Sequence, residues 1–400
     1  KVDYGENGLV TELKRTFDNS EFDFPVARNL IELRPNTVLY IGNFNPKSEI
    51  TSDFFPKYIS GTANFVYSQV TNLGNLESIG GGVSFGDSQV SDLGKLKSIG
   101  GTADFSYSKV TNLGNLESIG KNADFETSRV SDLGKLKSIG DSAYFSKSEI
   151  TNLGNLQSIG GTANFRVSEI TNLGNLQSIG GVADFSYSQV TNLGNLESIG
   201  GGVSFGDSQV TSLGNLKSIG GRVVFSNSEV TNLGNLKSIG NNADFEFSKI
   251  TDLGNLERIG GTADFSGSQV TNLGNLESIG GNANFKDSQV SDLGSLERIG
   301  GNVIFNNSKV TNLGNLNSIG GNASFFQSQV TDLGNLESIG GRANFSDSKV
   351  TDLGNLQSIG GRVEFGKNTS LENEWENRQS AQQTRKQKAQ DDFTIQDVIE

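Results

Sequence analysis

From Gly61 to Gly360 the chain repeats every twenty residues without insertion or deletion, giving fifteen units in 300 residues. A fixed period of this length marks a repeat architecture, in which each unit is one small structural element packed on the next. With positions counted from residues 61, 81, 101 and onward, the unit reads Gly/Lys/Asp/Asn-x-Ala/Val-x-Phe-x-x-Ser-x-Val/Ile-Ser/Thr-Asn/Asp/Ser-Leu-Gly-Asn/Lys/Ser-Leu-x-Ser/Arg-Ile-Gly. Phe at position 5, Ser at 8, Leu at 13 and 16, Gly at 14 and Ile at 19 occur in all fifteen units, and Val363 and Phe365 open a sixteenth.

The spacing of apolar residues predicts the path of each coil. Positions 3 and 5 are apolar around a variable position 4, the alternation of a short strand with 3 and 5 inward and 2, 4 and 6 outward. From position 10 the period changes to three: 10, 13, 16 and 19 are apolar. Glycines such as Gly114 and Gly120 argue against a helix there. A three-residue period suits an extended return path or a tight turn. Each unit therefore reads as a strand, a bend near the position-8 serine and an extended return. Glycine at position 20, and usually at position 1, marks a corner needing positive φ or close backbone approach. One coil alone buries too few large side chains to offset the ordering of twenty residues. Stacking makes up the difference, so each coil has to match its neighbour.

Composition narrows the chemistry. The chain lacks Cys, Met and His and carries a formal charge of −13. Without cysteine there are no disulfides or thiolate metal sites. Without histidine the commonest general base and metal ligand are missing. The acidic balance argues against a nucleic-acid surface, and no apolar run reaches the length of a membrane-inserting helix. No cofactor or metal is implied.

The segment Ala103-Asp-Phe105-Ser-Tyr-Ser108-Lys-Val110-Thr-Asn-Leu113 resembles the core of the leucine-rich repeat, with Ser where that family carries its Asn ladder. The Leu-x-x-Ile-Gly-Gly phrases are similar to the coils of receptor L-type domains. The resemblance covers about residues 61–366. It implies a right-handed solenoid of about sixteen coils with one parallel sheet, whose outward face recognises partners, and no catalytic residues. A parallel β-helix is the alternative.

Several positions invite functional readings. The serines at position 8 (Ser68, Ser88, Ser108 and onward) have no histidine to activate them, and fifteen copies do not make one active site. They are expected to form a hydroxyl ladder at the bend. Asn72, Asn112 and their equivalents at position 12 are expected to form an amide ladder. Position 17 alternates in sign at Glu77, Lys97, Glu117 and Lys137, then loses the alternation at Glu257, Glu277 and Glu297. This suggests solubility and register. Positions 2, 4, 6, 7 and 9 vary, and aromatics appear there at Tyr67, Tyr107, Tyr144, Tyr187, Phe247 and Phe326. Exposed aromatic residues are typical anchors of contact surfaces, so these six are the expected ligand-binding residues.

Three segments follow. Residues 1–60 read as an N-terminal cap, with a short helix around Leu9, Val10, Leu13 and Phe17, a first strand at Thr37–Ile41, and Ser48–Thr51 already matching repeat positions 8–11. Residues 61–366 are the solenoid. Residues 367–400 are a polar tail, linker or cap, in which Trp375 is the only large aromatic of the Leu371–Gln390 stretch. The functional expectation is a non-enzymatic module binding a protein or glycan through its sheet face, in an extracellular or cell-surface setting. The alternatives are a rigid spacer in a larger surface or appendage protein, and the repeat region of an effector or toxin whose active domain lies elsewhere.

Overall fold

The computed structural model describes residues 2–4, 10–13, 26–27, 37–46 and 54–396, with side chains described for 37–46 and 54–390. The chain divides into two compact units: Lys1–Val230 with Gly234–Leu236, and Thr231–Leu233 with Lys237–Glu400. Both are built from the same coil.

Each coil carries two short strands, at positions 3–4 and 18–19, as in Ala103–Asp104 and Ser118–Ile119. Each strand pairs in parallel and in register with its equivalents in the next coils: Ala103 with Val83 and Ala123, and Ile119 with Ile99 and Ile139. The Ala103 and Phe105 N–H groups donate to Asn122 O and Asp124 O of the following coil, each at 2.8 Å. On the other sheet Glu117 and Gly120 donate to Lys97 O and Ile99 O of the preceding coil, each at 2.7 Å. A third row of isolated parallel bridges joins position 12, as between Asn112 and Asp132.

The protein is therefore a parallel β-solenoid with two sheets. The leucine-rich-repeat-like solenoid with a single sheet is overturned, and with it the leucine-rich repeat resemblance. The alternative, the β-helix, holds. The return path contains a strand, and its three-residue apolar period has a simple cause. Leu116 N–H donates to Leu113 O at 3.0 Å, as its equivalents do in other coils, closing a β-turn that sets two inward leucines three residues apart. Gly114 sits in that turn at φ +57°, a conformation that disfavours any side chain.

The core of each coil is its six inward residues. Ala103, Phe105, Val110, Leu113, Leu116 and Ile119 are all buried, and the equivalents repeat through both units. The phenylalanines form a ladder of near-parallel rings, with Phe165 and Phe185 4.9 Å apart and inclined by 3°. Pairs of this kind contribute roughly 0.5–1.5 kcal/mol beyond the area they bury. Identical coils maintain the ladder because each ring needs a ring of the same size at the same height.

The corner glycine at position 20 has one of the two expected causes. Its φ is not positive; the backbones pass too close for a side chain. A Cβ on Gly140 would lie 2.2 Å from Gly120 O.

Around the first repeats, Leu39–Tyr40 pairs in parallel with Val26–Ala27 and with Tyr58–Ile59, extending the 18–19 sheet. Phe44 and Phe55 join the aromatic ladder below Phe65, 6.2 Å from it in each case. Where a helix was expected, Val10–Leu13 is a strand paired antiparallel with Val2–Tyr4. Leu9, Phe17 and Ser48–Thr51 lie outside the described residues. At the other end a helix spans Thr369–Gln396. Asn368 caps it by accepting from Leu371 N–H at 3.1 Å, while its own amide donates to Val350 O at 2.9 Å. Leu371 and Trp375 are buried. Arg378 donates to Gly354 O and Leu356 O, and Gln382 to Gln357 O. The first four turns of the helix thus close the last coil, and residues 383–390 stand exposed.

Candidate functional site

Of the variable aromatics only Tyr144, the outward residue of the strand Ala143–Tyr144, is on a sheet face. Position 8 N–H donates to the position 5 carbonyl, as Ser108 does to Phe105 O at 3.2 Å. This closes a turn with positions 6 and 7 at its tip. Position 7 is left-handed in every coil from 61 to 347: Tyr67 at φ 56°, Tyr107 at 51°, Thr127 and Lys147 at 54°, Phe247 at 50°. Only Gly, and to a lesser degree Asn and Asp, adopts this region readily. Tyr67, Tyr107, Tyr187 and Phe247 project from these turns and are 75%, 66%, 53% and 69% exposed. The Arg166 guanidinium lies 5.1 Å from the ring centroid of Tyr187. Tyr144, at position 4, and Phe326, at position 6, are only half-buried neighbours of other rows. The six expected residues therefore do not form one surface: four share the turn row and two do not.

A groove of about 530 Å³ runs beside this row across four coils of the first unit, lined by positions 7 to 9 from Asp87 to Glu149. Tyr107, Lys109, Arg129 and Lys147 are among its walls. Lys109 Nζ donates to Gln89 Oε1 at 2.5 Å. The cations at position 17 differ from these. Lys97 meets Glu77 at 3.0 Å, Lys137 meets Glu117 at 2.9 Å and Lys217 meets Glu197 at 2.8 Å. Partial burial raises the Glu77 carboxyl, but the Lys97 and Lys57 ammonium groups outweigh it and hold it below the usual range. Lys137 does the same for Glu117. Asp124 is pushed upward by burial, with the Asp104 and Glu126 charges adding to the effect.

The two expected ladders fare differently. Asn72 and Asn112 donate to the carboxylates of Asp92 and Asp132, the latter pair at 2.6 Å. Each also accepts from the glycine N–H two residues on, 2.5 Å to Gly74 and 2.6 Å to Gly114. They hold the turn between the two inward leucines and link coils. The serines do not bond one to another. Ser148 and Ser228 donate to the position-5 carbonyl of their own coil at 2.9 and 2.7 Å, and Ser88 accepts from Val90 N–H at 3.3 Å. The hydroxyls of Ser68 and Ser108 are buried with no partner in the chain. The small, fully buried side chain at the turn is what recurs.

Sequence reasoning missed the groove cations Lys109, Arg129 and Lys147, because a lysine or arginine at a variable surface position carries no signal by itself. A signal for the turn was present: Asp87, Asn227 and Gly267 at position 7 are residues that favour positive φ. Among the described residues no cluster of three or more acidic side chains could hold a metal, and no helix is long and apolar enough to cross a membrane. Compared with known proteins, the chain matches no family model and no curated protein.

Proposed function

We propose that the chain is a non-enzymatic structural spacer within a larger surface or appendage protein. The observation that supports this is where the invariant residues point. Phe105, Ser108, Leu113, Leu116 and Ile119 are buried between coils, Gly114 serves a turn, and Gly120 serves a backbone contact. Even the restricted exposed positions serve the stack: Thr171 Oγ1 donates to Thr151 O and Thr191 Oγ1 to Thr171 O, each at 3.4 Å. Repetition is devoted to continuity of the scaffold.

The absence of cysteine makes the test direct. Spin labels on Thr71→Cys and Thr191→Cys, six coils apart in the first unit, should give a narrow distance distribution centred near ~29 Å by strand spacing. Duplicating two whole units between them should lengthen it by about 10 Å without broadening it. A broad distribution, or one that the duplication leaves in place, would refute a stiff spacer.

A second reading, recognition of a protein or glycan, is favoured by one observation. Tyr67, Tyr107, Tyr187 and Phe247 are exposed and held at positive φ, where less strained residues are available.

A further inference from the structure

We propose that the groove between Asp87 and Glu149 binds an anionic oligosaccharide that carries a carboxylate or sulfate on every second sugar. This rests on the second reading above and gives it a ligand class.

Three observations carry the argument. The first is local charge. In a chain of formal charge −13, Lys109, Arg129 and Lys147 place one cation in each of three successive coils along one groove. Among the described residues none of the three forms an ion pair with a carboxylate. The lysines at position 17, such as Lys97 and Lys137, are paired with glutamates. Asp87 and Glu149 also line the groove, in its first and last coils, so the cations exceed the carboxylates there by one. An ammonium or guanidinium in a concave site that no carboxylate engages is a ready partner for an anion.

The second is the aromatic wall. Tyr107 presents its ring in the same groove and is 66% exposed. A tyrosine offers a flat apolar face and a polar tip, the pairing that the apolar face and hydroxyl rim of a sugar ring can use. Its distance from the cations is set by the coil. Lys109, at position 9, and Lys147, at position 7, are two coils apart, about 10 Å along the stack by strand spacing, a rise comparable to that between charges on alternate sugars of an extended glycan.

The third is backbone strain. Tyr107, Thr127 and Lys147 are three consecutive groove residues with φ of 51°, 54° and 54°. Asp87, at the groove's end, and Asp207 and Asn227 beyond it occupy the same turn with residues that tolerate it. Strain kept at a surface position without a gain in packing points to a role in binding. Nucleic acid fits less well. A polyphosphate puts a charge on every residue of the ligand, and a site of three cations in a strongly acidic chain leaves most of them repelled.

The left-handed turn allows a test in which binding and folding move in opposite directions. Lys147→Asn and Tyr107→Asn remove the binding group and install a residue suited to positive φ. Titration calorimetry of the full chain at low salt would use three probes: a hyaluronan octasaccharide, a neutral cello-oligosaccharide of similar length and a single-stranded oligodeoxynucleotide. The expected result is salt-sensitive binding of the octasaccharide. Arg129→Gln and Lys147→Asn should each weaken it at least tenfold. Tyr107→Asn should weaken it too, with a melting temperature at or above that of the parent. Lys217→Gln, outside the groove, should leave it unchanged. Equal loss in Lys217→Gln, tighter binding of the oligonucleotide, or no binding of the octasaccharide would overturn the proposal. Binding of the neutral glycan that depends on Tyr107 but not on Arg129 would also overturn it, while leaving recognition by the turn row standing.

Discussion

Two glycines of the same coil type give the sharpest test of the fold, because identical substitutions should fail for different reasons. At Gly114 a Cβ would meet nothing within 4 Å, but φ is +57°. Alanine there has only the left-handed backbone to tolerate, a cost of roughly 1–2 kcal/mol. At Gly140 the backbone conformation is ordinary and the space is missing: the Cβ would stand 2.2 Å from Gly120 O and 2.8 Å from Gly120 C. Those atoms belong to the backbone, so no side chain can swing away. The two coils must separate, which stretches bonds such as Gly140 N–H to Ile119 O at 2.8 Å. Overpacking of this severity lies at or above the upper end of the usual 1–3 kcal/mol range, so about 3 kcal/mol or more is expected. Urea unfolding of the two variants should rank them in that order, and Gly114→Asn should recover part of the smaller loss. Hydrogen exchange should rise in the coils beside residue 140 before it rises in distant coils. Equal costs for both alanines, or a milder cost at Gly140, would refute the claim that backbone contact fixes the corner glycine.

Leu213→Ala, which empties a fully buried site in the first unit, should cost roughly 2–5 kcal/mol in the same assay. Asp124→Asn should stabilise the protein at neutral pH. Its carboxyl is raised by burial, so the charged form is disfavoured in the fold, and the relief should fade as pH falls through the folded value toward the ordinary aspartate range near ~3.9. The bond accepted from Glu126 N–H at 2.9 Å survives in the amide. Glu117→Gln should do the reverse and weakly. Lys137 lowers that carboxyl, so its contribution is present above the ordinary glutamate value near ~4.3 and lost as pH falls through the folded value, amounting to a few tenths of a kcal/mol (about 0.3) for so exposed a pair. Trypsin should cut at Arg385, Lys386 and Lys388, which are exposed, and spare Arg378, whose guanidinium is engaged with the last coil; cleavage at Arg378 as fast as at Arg385 would mean that the helix does not cap it.

Much of the coil was legible because inward positions are invariant and their spacing is strict. Positions 3, 5, 10, 13, 16 and 19 are the core, and the bend before Ser108 is where the alternation stops. The second sheet was hidden because its strand has no second inward residue two places on, as Phe105 is to Ala103 in the first. Ser118–Ile119 offers one inward residue and no alternation, so nothing in the pattern separates it from a plain extended return. The leucine-rich resemblance followed from that gap, since the first half of the coil alone suits either fold. Position 7 is the tip of a turn, which the alternation of positions 3 and 5 does not report. The N-terminal helix failed at Val10–Leu13 because a spacing of three and four residues among few apolar side chains does not exclude a strand with a close partner. The tail was ambiguous since its docking groups are a single Leu–Trp pair followed by polar contacts from Arg378 and Gln382 to backbone carbonyls, which no apolar periodicity reports.

The distribution of residues at position 7 bears on whether its aromatics are drift. A surface position with no role should relax toward what the backbone prefers, and here the preference is known from φ. Asp87, Asp207, Asn227, Gly267, Asp287, Asn307 and Asp347 follow it. Tyr67, Tyr107, Thr127, Lys147, Val167, Tyr187, Phe247 and Gln327 do not. Duplication of coils explains some sharing, since the segments beginning at 81 and 201 are copies and both carry Asp at the turn. Duplication does not explain why the departures concentrate where they do. In the first unit they run without a break from Tyr107 to Tyr187, whereas in the second only Phe247 and Gln327 depart. That unbroken run begins within the groove, which ends at Glu149. β-Propensity cannot account for Val167 or Thr127, because a β-branched side chain is least suited to positive φ. The strain is local, contiguous and next to a concave surface, as expected of a site retained for binding on a scaffold that otherwise follows its own backbone rules.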